Sequence, residues 1–185
     1  MAGEATHPVA KLKESLVNVG RHDRVLALEV RPQRYGFAVL EGSGGLLDWG
    51  IRSCGNGRIV RMGGLDSLLE SYSPHFVVIR RRKHNSRQAA NAVRSVVTRI
   101  TKEARRFSAQ TTFISAKPIR RLFEQYGCTN KHETASALAE WFDEIAWKLP
   151  ARRRPWQSEK KNTLLFDALA TGIAFFARIF DRPTL

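Results

Sequence analysis

Two acidic residues stand where acids are costly. Glu29 lies near the end of the apolar run Arg24-Val25-Leu26-Ala27-Leu28-Glu29-Val30, and Asp167 interrupts the apolar stretch 164–180. A carboxylate carried into a core loses its hydration, so it needs a partner or a chemical role. For Glu29 the residue types leave two partners open, a metal ion or an arginine.

The second signal is charge. The chain has 185 residues with 31 Lys and Arg against 17 Asp and Glu, a net charge of +14 and a pI near 10.7. Hydrophobic residues make up 43%, enough for a folded domain and not a basic tail. Such an excess implies a polyanionic partner, nucleic acid first and an anionic membrane second. Arg80, Arg81, Arg82 and Lys83 follow one apolar run. Arg87, Arg94, Lys102 and Arg105 recur with Asn91 and Thr98 every three or four residues, opposite the apolar stripe Ala89, Val93, Val96, Val97, Ile100, Ala104 and Phe107. A one-sided basic helix beside a basic loop makes a track for backbone phosphates. Lys117, Arg120 and Arg121 extend it. Arg152, Arg153 and Arg154 lead through Pro155 to Trp156, an aromatic suited to stack on a base, and Lys160 and Lys161 follow. Any one of these runs also reads as a solvated face; the unbalanced total favours a partner. Phosphate contacts give affinity without sequence preference.

Other chemistries find little support. Cys54 and Cys128 fit no metal spacing or disulfide framework, which points to a reduced cytoplasmic compartment. No targeting segment is visible before Arg24, and residues 164–180 carry Asp167 and Arg178, so a buried core helix is expected and not a membrane span. Gly42-Ser43-Gly44-Gly45 lacks the strand-to-helix setting of a phosphate loop and reads as a hairpin turn. His84 and His132 read as loop and surface residues. Trp141, Phe142 and Trp147 read as core positions of one amphipathic helix. No Ser/His/Asp or Cys/His nucleophile can be assembled.

The elements that position Glu29 and Asp167 follow from pattern. Strands are expected at 25–30, 35–41 and 46–54, joined by tight turns, hence an antiparallel meander. A short helix at 65–71 precedes a strand at 75–80. A long helix at 86–107, a strand at 111–115, a helix opened by Pro118 and ended by Gly127, a helix at 130–149 and a basic link at 150–157 follow. Asn130 and Glu133 have capping-box spacing. The last helix, 161–180, is apolar nearly all round and therefore central. Residues 1–22 read as a flexible lead-in with a short helix at 9–17, and 23–182 as one domain.

This order of elements resembles the RNase H-like fold, an α/β architecture with a mixed five-stranded sheet flanked by helices. The residues resemble RuvC-type Holliday junction resolvases. The likeness lies in Val25-Leu26-Ala27-Leu28-Glu29-Val30-Arg31-Pro32, Tyr35-Gly36-Phe37-Ala38-Val39, Phe76-Val77-Val78-Ile79 and Phe166-Asp167-Ala168-Leu169-Ala170. It covers roughly residues 23–180. It implies a homodimeric endonuclease acting on branched DNA, with DNA ahead of RNA. Carboxylates in that family hold Mg²⁺ or Mn²⁺ around the scissile phosphate while a water attacks in line. Glu29 takes the place of the first-strand Asp and Asp167 that of a last-helix Asp. The resemblance therefore implies catalytic and metal-ligating roles for both, with Glu159 as a further ligand. The chain departs from the pattern at two places. Arg80-Arg81-Arg82-Lys83-His84 stands where an acid ends the fourth strand, and Leu164 stands one turn before Asp167. Two functions compete: a metal-dependent endonuclease, and a non-catalytic binding or scaffold protein in which Arg80 or Arg81 replaces the metal's charge. A membrane-surface or protein-partner module is the third, disfavoured because the basic helix buries its apolar face.

Overall fold

The computed structural model describes residues 8–17, 22–54, 64–152 and 161–180. Strands β1 (Arg24–Val30), β2 (Arg34–Glu41) and β3 (Gly45–Ser53) form the antiparallel meander. β4 (Phe76–Arg81) pairs parallel to β1, and β5 (Gln110–Ser115) parallel to β4, giving the order β3-β2-β1-β4-β5. This is the expected mixed five-stranded sheet. The helices are α1 (Pro8–Val17), α2 (Leu65–Tyr72), α3 (Arg87–Arg106), α4 (Ala116–Glu124), α5 (Lys131–Trp141) and α6 (Thr163–Phe180), with a 3₁₀ turn at Asp143–Lys148. No helix among the described residues is long and apolar enough to cross a membrane.

Strand alternation sorts side chains into two cores. Leu26, Leu28, Val77 and Ile79 pack with α2 and α3 through Leu69, Val96 and Ile100. Val25, Ala27 and Val78 pack on the other face with Phe123 of α4, Leu138 of α5 and Leu169 and Ile173 of α6. Parity places Glu29 on the α6 face, beside Val25 and Ala27. It places Arg80 there too, in step with Val78, and turns Arg81 away.

α6 crosses β1 and β2 at close range because two glycines let it. A Cβ on Gly36 would stand 2.3 Å from the Leu164 carbonyl oxygen, and one on Gly172 would stand 2.4 Å from a Leu40 methyl. Gly36 is also the cross-strand partner of Glu29. Backbone contact at this point brings Asp167, three residues beyond Leu164, to the end of β1.

Several expectations need correction. Within the segment read as a flexible lead-in, α1 is ordered against the core: Leu12 and Leu16 are buried, and the Leu16 carbonyl accepts a hydrogen bond from Ser43 at 2.8 Å. The helix expected at 130–149 stops at Trp141. Phe142 is extended (φ −121°, ψ 92°), which buries Trp141 and Phe142 together with their rings stacked 5.4 Å apart. Consecutive residues of an unbroken helix point about 100° apart. The 3₁₀ turn then carries Trp147 outward, 71% exposed, so this residue is not core. α4 starts at Ala116, leaving Pro118 third in the helix, where its missing N–H has no intrahelical partner to lose.

Candidate functional site: two carboxylates in a ring of cations

Glu29 is fully buried and Asp167 is 6% exposed. They share one site with Arg31, Arg80, Arg82 and Lys131. Arg80 Nη1 lies 2.6 Å from Asp167 Oδ1, and its Nε 3.7 Å from Glu29 Oε2. Arg82 Nη1 donates to Glu29 Oε1 at 3.0 Å and stands 3.7 Å from Asp167 Oδ2. Arg31 Nε is 3.2 Å from Glu29 Oε1, and Lys131 Nζ donates to Asp167 Oδ2 at 3.0 Å. Among the described residues, four cations therefore face two anions.

Each cation arrives by a local rule. Arg31 follows Glu29 by two residues, one strand period, just before the turn that the Arg31 N–H closes on the Arg34 carbonyl at 2.9 Å. Arg80 and Arg82 share the parity of Val78. Arg81 alternates away and sets its guanidinium 5.1 Å above the Phe113 ring. Lys131 is the first residue of α5. The Asn130 side chain caps that helix by accepting from the His132 and Glu133 N–H groups, and the Glu133 carboxylate accepts from the Thr129 N–H and hydroxyl. The capping box read from Asn130 and Glu133 thus fixes where Lys131 projects. Arg31 and Lys131 were absent from the sequence-derived list. The two-residue spacing from Glu29 was the available signal for Arg31; none existed for Lys131, which depends on how α5 packs on α6.

Burial pushes the Glu29 carboxyl above the ordinary range, and the neighbouring Asp167 charge adds to this; Arg80, Arg82 and Arg31 pull the other way. The donor set among the described residues does not fit a divalent cation. Both Asp167 oxygens and Glu29 Oε1 already receive protein cations, which leaves Glu29 Oε2 as the carboxylate oxygen without a hydrogen bond. No group of three His, Cys, Asp or Glu suited to a metal occurs among the described residues. Mg²⁺ requires near-octahedral oxygen donors, and four nearby positive charges repel it. Glu159 lies outside the described residues.

The basic candidates divide between faces. Arg87, Arg94, Lys102 and Arg105 are exposed on α3, which covers the sheet face opposite Glu29, and among the described residues they have no acidic partner. The basic helix and basic loop expected to form one phosphate track meet near the helix start, where Arg87 follows the exposed Lys83. Arg152 lines a shallow cleft with Lys131, His132 and Thr163, on the site's own side. Arg153, Arg154 and Trp156 lie outside the described residues. Sequence reasoning missed a second cationic groove lined by Arg34, Arg52, Lys148 and Lys161 together with Trp49. Lys148 Nζ sits 3.8 Å over the exposed Trp147 ring, whose edge meets Trp49 at 6.1 Å.

A three-strand meander continued by parallel strands, with acids on β1 and on the helix that crosses it, defines the RNase H-like class of α/β fold. Within that class the fold is similar to that of RuvC. The structure of Thermus thermophilus RuvC in complex with Holliday junction substrate superimposes with a TM-score of 0.66 at 16% identity, covering 86% of this chain and 97% of that one. A further Thermus thermophilus RuvC structure gives 0.63 at 17% identity, covering 85% and 96%. The yeast mitochondrial Holliday junction resolvase Ydc2 gives 0.56 at 11% identity, covering 92% and 88%. No protein-family model matches the sequence, and no curated protein matches it. At such identities the likeness is one of fold.

Proposed function

We propose that this protein binds branched or structured DNA on a RuvC-like scaffold without hydrolysing it. The observation that supports the reading is the cation ring: Arg31, Arg80, Arg82 and Lys131 neutralise Glu29 and Asp167 where a nuclease needs bare carboxylates. The net charge of +14 and the exposed bases on α3 supply phosphate contacts. Thermus thermophilus RuvC in complex with Holliday junction substrate supports a four-way junction as the first ligand to try. In this reading Glu29 and Asp167 anchor the cations and do not activate water. A homodimer is the assembly the resemblance implies, and sedimentation of the free protein tests it.

The competing reading, an endonuclease using Mg²⁺ or Mn²⁺, draws on Glu29 Oε2, a buried oxygen with no hydrogen bond. It requires Arg80 and Lys131 to swing away and a third carboxylate beside Glu29 and Asp167. The deciding experiment incubates labelled junction, duplex and single-stranded DNA with either metal, using wild type, Glu29→Gln and Asp167→Asn. Binding without cleavage is expected. Affinity should fall by about 10³–10⁵ between 50 and 200 mM salt if six to ten phosphates are contacted. Metal-dependent nicking lost in both variants overturns the proposal.

A further inference from the structure

We propose that the cleft between α4, α5 and α6 receives one unstacked nucleotide, its base inside and its phosphate at the mouth; the inference rests on the nucleic-acid-binding reading. The cleft has a volume of about 480 Å³, within the usual range of ligand pockets. Its walls are apolar: Ile119, Phe123, Cys128, Phe166 and Ala170 are all buried residues of the core. These residues pack on the core behind them, and the space in front of them is large enough for an occupant with apolar faces to gain contact there.

The mouth is cationic. Arg80 and Lys131 belong both to the cleft and to the ring around Glu29 and Asp167, and Lys117 and Arg120 stand on its α4 side. Arg120 also pairs with Glu124 at 3.1 Å. Asp167 reaches the cleft, but Arg80 and Lys131 hold its two oxygens. A phosphate at the mouth meets the exposed Lys117 together with Arg80 and Lys131. Thr129, Thr134 and Thr163 add polar groups along the wall. Apolar walls, a few polar groups and a cationic rim match a nucleobase, with two apolar faces and a polar edge, tethered to a phosphate. An inorganic anion leaves the walls empty, and a hydrocarbon chain leaves the rim unused. Extruding a base costs least where the duplex is already interrupted, as at a junction centre.

The test places 2-aminopurine, whose emission rises when it loses its stacking neighbours, singly at each crossover position of a four-way junction. Emission is read at saturating protein, so that changes in affinity do not enter. Wild type should raise the emission several-fold at one position. Thr134→Trp and Ala116→Phe, each filling the cleft from a different helix, should abolish the rise; circular dichroism melting shows that each is folded. Binding without an emission change at any position overturns the inference and leaves the proposed function standing. A rise that survives both fillings places the unstacked base elsewhere and equally overturns it. Failure of wild type to bind any nucleic acid removes both readings.

Discussion

Two buried glutamates are each enclosed by arginines, and they behave oppositely. Glu29 lies at the sheet end among Arg31, Arg80 and Arg82. Glu103 lies on α3 between Arg99, 2.8 Å away, and Arg106. Burial alone raises the Glu103 carboxyl, but the hydrogen bond and charge of Arg106, joined by Arg99, outweigh it and hold the group below its ordinary value. Burial wins at Glu29 despite three arginines, because the site is closed and a second carboxylate shares it. The arginines of Glu103 are themselves open to water, 49% and 64% exposed. What separates the two is therefore the depth of the acid and the company of another acid, not the number of cations.

The largest expected effect breaks the deeper cluster. Arg80→Ala strips both carboxylates of their most buried cation, 10% exposed, and should cost about 3–5 kcal/mol of stability by urea unfolding, since it leaves buried charge uncompensated. Gly36→Ala comes next. Its new methyl meets the Leu164 carbonyl, which forces α6 off β2 at a cost of about 1–3 kcal/mol. It should weaken the Glu29 cluster while leaving the Glu103 trio intact.

Acidity sharpens the contrast further. A carboxyl raised in the folded state favours folding at low pH, and that contribution is lost as pH rises through its folded value. The stability advantage of wild type over Glu29→Gln should therefore shrink as pH climbs from about 4, near the unfolded carboxyl value, toward neutrality. Glu103 has the opposite sign: its contribution is present above the unfolded value and lost as pH falls through the depressed folded one. Wild type minus Glu103→Gln should thus diminish on acidification, and parallel slopes for the two variants would sink the comparison. The smallest effect is Arg106→Ala, expected to change stability by about 1 kcal/mol or less, as exposed partners of ion pairs do.

The sequence made much of this legible. Apolar alternation and turn residues located all five strands, and the cost of burying charge singled out Glu29 and Asp167. Arg80 or Arg81 was expected to replace the metal's charge; the two-residue period of the strand brings Arg80 and Arg82 to the acids and turns Arg81 away. Lys131 was not legible, because its meeting with Asp167 depends on how α5 packs on α6. Nor was the separation of α3 from the acidic site, since periodicity tells which side of a helix is apolar but not which side of the sheet it covers. Trp147 was misread because a 3.6-residue period was carried past Phe142, where the backbone leaves the helix.

The glycine contact between β2 and α6 bears on how such a site can vary. At Gly36 main chain rests on main chain, so the spacing of Glu29 and Asp167 owes little to the bulk of the surrounding side chains. A lineage can exchange the groups between the two acids, cation for carboxylate or the reverse, without rebuilding the scaffold. The groups that would change sit at the ends of β1 and β4 and at the start of α5, outside the contact that spaces the two acids.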